Sequence, residues 1–387
     1  MRLGMIYLPL FMALGVFSHS LAGITPQPQN QSALKNTARF SILHKSETIK
    51  FPMYAPRAIS LQNHCDSSGN IFLLFAPSHA NPLLKNVNQF AVVNIMNQPI
   101  HEFKILSQNV IAFGGPELSN LNDLPGSFTV SGDDHVFRIL EPNAENLNRK
   151  HPKDVIYQYD PDGSLDSIIH LHVPHHWEFD AGEFIVFGGG NYMVTGLLHP
   201  WMPPPRPGQK PTRPVKYKPF TAIFDEQGNL ISAVHLPGDQ RAGTKPPLFW
   251  PRVAFSTLMA PGPDDTAYLL RPRASLWLYT LSSDGRVLRE VKVDTSQFPS
   301  MQLVSLNSMG NSQLFLQFLG MKTDARHDMH LVNIFAVVDV ATGNILQAYR
   351  MPSGRGAMFA CASDPHHIEY LSANRKGKLE VSIYSSP

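Results

Sequence analysis

The amino-acid sequence predicts an all-β chain built as a single β-propeller of about six four-stranded blades. Apolar residues come in runs of roughly four to eight, bounded by Gly, Pro, Asp and Asn, and no amphipathic helical period runs through them. A unit of strand, acidic turn and strand recurs with a period of about 45–60 residues. The chain has 387 residues, 43% of them apolar, which supplies a core large enough for one repeat domain of this size.

Residues 1–22 have the form of a signal peptide: Arg2, an apolar stretch over residues 5–17, and small residues at Ser20 and Ala22, with cleavage expected before Gly23. The apolar run is shorter than the roughly 20 residues that cross a bilayer. An uncleaved N-terminal anchor is the alternative. Residues 23–37, with Pro26 and Pro28, form a polar linker, and residues 38–387 form the propeller. The mature protein is expected to be secreted or periplasmic, with no stable membrane insertion after cleavage.

The recurring unit is clearest at residues 155–159, Asp160-Pro161-Asp162-Gly163 and 167–173. It returns around Asp225-Glu226-Gln227-Gly228, Ser283-Asp284-Gly285 and Thr342-Gly343-Asn344, and more weakly as residues 90–95, Asn97-Gln98-Pro99 and 100–106. Gly and Asn accept the positive φ that tight hairpins demand, so each unit predicts the outer two strands of a blade. Inner pairs are expected at 58–64 with 71–76, 127–130 with 136–140, and 178–179 with 184–186. The series continues at 254–260 with 266–270, 303–307 with 313–319, and 358–362 with 368–372. The last blade has residues 378–384 as its third strand, and residues 47–51 are expected to supply the fourth, closing the ring and removing its open edges.

In period and turn chemistry, residues 38–387 resemble six-bladed propellers of the NHL and TolB-like kind. No WD-type or kelch-type signature is present, and an insertion over residues 196–219 interrupts blade 3. Two tandem β-sandwiches are the alternative, but they leave the repeated acidic turn unexplained. The resemblance implies relatives that include metal-dependent lactonases and esterases, whose acid and amide ligands line the central channel. No such ligand set maps onto this sequence residue by residue.

Two cysteines exclude a disulfide scaffold and a cysteine-rich zinc module. Cys65 and Cys361 each end an inner strand, one in the first blade and one in the last, which suits either a disulfide across the closure or two buried thiols.

A formal net charge of +2 gives no sign of a nucleic-acid partner. Sorting the loops by face does separate the charges. The face of the 1–2 and 3–4 turns collects Asp66, Asp133, Asp160, Asp225, Asp265 and Asp284, while the opposite face collects Arg241, Arg271, Arg273, Arg355 and the lysines of the insertion. Arg presents a fixed fork of donors to carboxylate, phosphate or sulfate, so the basic face predicts an anionic ligand or an extracytoplasmic partner. Arg271-Pro272-Arg273 is expected to be a short, stiff link there, and a solvated loop surface is the bland reading of the whole face. His175, His176 and His327 lie on the same face, and Trp201 opens the proline-rich insertion as a candidate for ligand contact.

His176, Glu178 and Asp180, or His327 and His330, offer donors for a divalent metal, although no helix fixes their spacing. No cofactor is expected on the leading reading. The motifs G-x-S-x-G, H-E-x-x-H and G-x-x-x-x-G-K are absent, and Gly188-Gly189-Gly190 predicts a turn rather than a phosphate cradle. The sequence therefore points to a non-enzymatic binding or scaffold protein, the alternative being a metal-assisted hydrolase or lyase at the channel mouth.

Overall fold

The computed structural model describes residues 40–41, 43–54, 63–66, 69–75, 91–94, 110–112, 128–139, 155–174, 177–200, 218–236, 258–272, 275–298, 301–310, 312–323, 329–351, 357–374 and 376–385. The predicted signal and linker lie outside them. All described structure belongs to the unit Arg39–Pro387, which is a single β-propeller without a helix among the described residues.

The chain enters through β1 (His44–Tyr54). A first sheet follows, with β2 (Asn63–Cys65), β3 (Ile71–Phe75), β4 (Ala91–Asn94) and β5 (Val110–Ala112). The second holds β6 (Phe128–Val130), β7 (Val136–Ile139), β8 (Val155–Tyr159) and β9 (Leu165–His170). The third holds β10 (Trp177–Val186), β11 (Tyr192–Pro200), β12 (Lys218–Phe224) and β13 (Leu230–Val234). The fourth holds β14 (Leu258–Pro261), β15 (Thr266–Pro272), β16 (Leu276–Ser282) and β17 (Val287–Val293). The fifth holds β18 (Gln302–Ser308), β19 (Gln313–Thr323), β20 (Met329–Asp339) and β21 (Ile345–Arg350). β22 (Ala357–Asp364), β23 (His367–Ala373) and β24 (Lys378–Ser385) make the last sheet, and β1 pairs antiparallel with β24, Ile49 opposite Val381 and Lys50 opposite Glu380.

The core lies between sheets. Among the described residues, buried clusters each draw on two successive sheets, as where Leu270 and Leu278 of the fourth meet Leu314 and Leu316 of the fifth. Side chains alternate along a strand, so a strand covered on both faces must be apolar throughout. In β19, Leu314 and Leu316 face the fourth sheet while Phe315 between them faces the last. First and last sheets meet through a disulfide between Cys65 and Cys361, their Cα atoms 5.8 Å apart across a sequence separation of 296.

Outer strands repeat one irregularity. Register slips leave Asp166, Ile231, Leu288 and Leu346 as the extra residue of a β-bulge in β9, β13, β17 and β21. A bulge turns its side chain away and twists the edge, which blunts edge-to-edge pairing. Ile231, Leu288 and Leu346 are accordingly exposed.

Several sequence expectations need correction. Residues 178–179 and 184–186 are not a hairpin: β10 runs through both, the slip between Ala181 and Glu183 is a bulge, and Gly188-Gly189-Gly190 is the turn to β11. The insertion is shorter than 196–219, because Gly196 pairs with Phe220 inside the sheet and only residues 201–217 separate β11 from β12. β4 pairs with residues 110–112 rather than 100–106, consistent with the lack of glycine in Asn97-Gln98-Pro99. Arg271 is not part of a link: it pairs with Trp277 inside β15 and its side chain is buried.

Candidate functional site

Tight turns cap the strands on one face, and their carboxylates are occupied by the turns themselves. Asp225 Oδ1 accepts the backbone N–H groups of Gln227 and Asn229 at 3.0 and 2.7 Å, and Asp66 binds the backbone and side-chain nitrogens of Asn70 at 2.8 and 2.7 Å. Asp339 accepts from Thr342 N and Oγ1 at 2.8 and 2.6 Å. Such bonds favour the ionised acid: the Thr342 hydroxyl holds Asp339, and the Ser164 hydroxyl holds Asp162, below the usual carboxylate range. The acidity predicted for this face is therefore largely turn chemistry.

These turns also join the sheets. His172 N donates to Gly228 O at 2.8 Å, Ser232 Oγ to Asp284 O at 2.7 Å, Asn191 Nδ2 to Ser283 O at 3.2 Å and Gly189 N to Asp265 Oδ1 at 3.1 Å. Glycine is required at the tightest approach. Gly228 has φ +84° and an added Cβ would lie 2.0 Å from His170 O. Ser41 N makes the equivalent bond to Ala348 O at 2.9 Å, docking the entering chain on the fifth sheet. A shallow groove of about 430 Å³ between the second and third sheets is lined by Gln158, Tyr192 and Glu226 among others. Burial, and then the charges of Glu226 and Asp166, push the Tyr192 hydroxyl up to about 12, so it stays neutral.

Most of the ligand residues predicted from the sequence for the opposite face, His175, His176, Trp201, Arg241, Arg273, His327 and Arg355, lie outside the described residues. Arg271 is 9% exposed, and its Nη2 donates to Thr221 Oγ1 at 3.4 Å, which itself shares a hydrogen bond of 3.2 Å with Thr195. The structure thus joins Arg271 to the third sheet through polar side chains buried between blades.

Trp177, which the sequence reading passed over, opens β10 at this face. It is 37% exposed, and Lys218 Nζ lies 4.7 Å from its ring centroid. Trp177 pairs with Pro200, the last residue of β11, and residues 201–217 separate Pro200 in sequence from Lys218, the first residue of β12. That segment carries Arg206, Lys210, Arg213 and Lys216 and no acid. A tryptophan immediately after His175-His176 at a strand start was the signal available.

Glu178 and Asp180 follow Trp177 in β10, and His330 is in β20 opposite Lys322. No group of three His, Cys, Asp or Glu able to hold a metal occurs among the described residues.

Two further polar clusters lie between sheets. Gln317 Oε1 accepts from Ala360 N at 3.2 Å, its Nε2 donates to Asn333 Oδ1 at 3.1 Å, and Asn333 Nδ2 donates to Tyr370 Oη at 3.3 Å, joining the fifth sheet to the last. At the disulfide, Glu369 pairs with Cys361 across β22 and β23 and is 6% exposed. Its Oε1 lies 3.2 Å from His367 Nε2, while Oε2 is buried without a hydrogen-bond partner. His64, adjacent to Cys65, lies with its ring tilted against Phe72 and Phe128, centroids 6.0 and 6.2 Å away, and burial lowers it to about 4 against the opposing pull of Asp66.

No protein-family model and no curated protein matches the chain. Among solved structures it is similar to a DUF4221 family member from Bacteroides vulgatus, at 10% identity over 89% of this chain and 98% of that one, with a TM-score of 0.45. A protein of unknown function from Dyadobacter fermentans aligns at 9% identity over 89% and 99%, with a TM-score of 0.44. A chain of the mitotic checkpoint complex aligns at 8% identity over 94% and 98%, with a TM-score of 0.43.

Proposed function

We propose that this chain is an exported, non-enzymatic β-propeller of six blades, of the NHL and TolB-like kind and closed by its N-terminal strand, that holds an anionic ligand or extracytoplasmic partner on its basic loop face. The observation that carries the reading is the asymmetry between the faces. Carboxylates such as Asp66, Asp225 and Asp339 serve their own turns, so their abundance has a structural cause. On the other face, Lys218 beside the exposed ring of Trp177 offers charge and a flat apolar surface at one spot. The pairing of β1 with β24 and the docking of Ser41 support closure by the entering chain.

The test is a thermal-shift screen of residues 23–387 against inorganic phosphate, citrate and polygalacturonate at low and high salt. Binding to the folded state stabilises it by about 2.7 kcal/mol at a hundredfold excess over Kd. A shift that high salt abolishes, and that Lys218→Ala with Arg273→Ala weakens, supports the reading. No shift with any of the anions would remove it.

A further inference from the structure

We propose that the junction between the first and last sheets is a proton-operated latch: Glu369 holds the β2–β3 turn firmly against β22 and β23 when its carboxyl carries a proton, and loosens that contact when it does not. The approach is close. At Gly69, whose φ is +85°, an added Cβ would lie 3.1 Å from Ser363 of β22 and 3.8 Å from Glu369 Oε1. Asp66 starts the same turn and binds Asn70 through both carboxylate oxygens. Two carboxyl groups from different sheets therefore face one junction.

The groups acting on Glu369 are Asp66 from the first sheet and His367 from its own strand. His367 reaches Oε1 from the solvent side, its side chain 38% exposed against 8% for Glu369, and leaves Oε2 buried with no donor. An ionised carboxylate with one bare buried oxygen is costly, whereas the neutral acid removes both the charge and its repulsion with Asp66. Burial first, then Asp66, push Glu369 up to about 7. The disulfide between Cys65 and Cys361 spans this point, so loosening stays local and reversible rather than parting the ring.

Native-state hydrogen exchange on β2, β3 and β22 tests the latch, with wild type and Glu369→Gln compared at about pH 5.5 and about pH 8. If the opened junction restores an ordinary carboxyl, the ratio of opening constants between the two pH values is roughly 30-fold larger in wild type than in the variant. The comparison cancels the titration of His64, which is present in both. Equal ratios would overturn the proposal. Should Glu369→Gln fail to fold, infrared difference spectra of the wild type decide it: a protonated carboxyl band present at about pH 6 and lost by about pH 8 supports the latch, and its absence overturns it.

Discussion

Replacing Gly228 with alanine separates two reasons for a turn glycine, because Gly190 supplies a matched control. Both have positive φ, +84° and +88°, so alanine pays the same left-handed penalty of about 1–2 kcal/mol at each. Around Gly190 the nearest atom to an added Cβ is Glu226 Oε2 at 3.6 Å, an ordinary contact that a flexible side chain can accommodate. Around Gly228 it is the backbone oxygen of His170 at 2.0 Å, with the His170 carbonyl carbon at 2.8 Å and Ile169 at 3.1 Å. Neither backbone atom can yield unless the turn lifts off the second sheet, which breaks the His172 N–H to Gly228 O bond and opens the packing at buried Ile169. A lost hydrogen bond is worth about 1 kcal/mol, and partial exposure of an isoleucine about as much again. Gly228→Ala should therefore destabilise by about 2 kcal/mol more than Gly190→Ala. Urea unfolding followed by tryptophan fluorescence measures the difference, provided the two slopes agree. Equal losses would refute the claim that this turn docks one sheet on the next.

Gln317→Leu strands Ala360 N and Asn333 Oδ1 between buried strands and should cost about 2–3 kcal/mol in the same assay. Replacing Cys65 and Cys361 together with alanine should lower Tm, the loss of stability being at most about 6 kcal/mol on the chain-entropy model and less because the β1–β24 pairing already joins the two strands. His64 is held neutral in the folded chain, so its stabilising contribution is complete above about pH 6.5 and is lost as pH falls toward 4. Over that window the loss amounts to about 3 kcal/mol, and His64→Phe should flatten the acid limb of a plot of stability against pH.

Much of the fold was legible because its repeat is written in turn residues. Gly163, Gly228, Gly285 and Gly343 all adopt the positive φ that their place between two apolar runs predicts. Pairing of residues 47–50 with the last sheet agrees with the strand count, and the Cys65–Cys361 bridge is one of the two arrangements that their matching places in the first and last repeats left open. Failures came where local signals were ambiguous. Ala181-Gly182 resembles a turn but is a bulge inside a long strand, and Gly188-Gly189-Gly190 is the true hairpin. Arg271 was misassigned because Pro272 next to it suggested a link. In fact β15 extends through Pro272 opposite Leu276, and the long arginine stem lets its head reach Thr221 while staying buried. Glu369 gave no signal at all, since its burial depends on how closely the first sheet approaches the last.

The two faces of the disc are unequal for a reason that precedes any ligand. Sheets in a propeller must be locked to their neighbours, and here the tight turns do it, each needing a small residue and a carboxylate or hydroxyl to organise four or five residues. A surface so constrained has little room to vary: changing Asp225 disturbs Gln227, Gly228 and Asn229, and through Gly228 the second sheet. The opposite face differs in its sequence: residues 201–217, between β11 and β12, carry Arg206, Lys210, Arg213 and Lys216 and no acid. Loops that join rigid strands tolerate changes of length and charge more readily than the strands do. The proposed recognition is therefore best sought on that face. This makes a specific demand on Lys218→Ala, which should weaken anion binding while leaving the unfolding free energy measured in urea within about 0.5 kcal/mol of wild type, as for other surface changes. A variant that lost stability and binding together would show that the pair of Lys218 and Trp177 is structural, and the ligand would have to be sought elsewhere on the loop face.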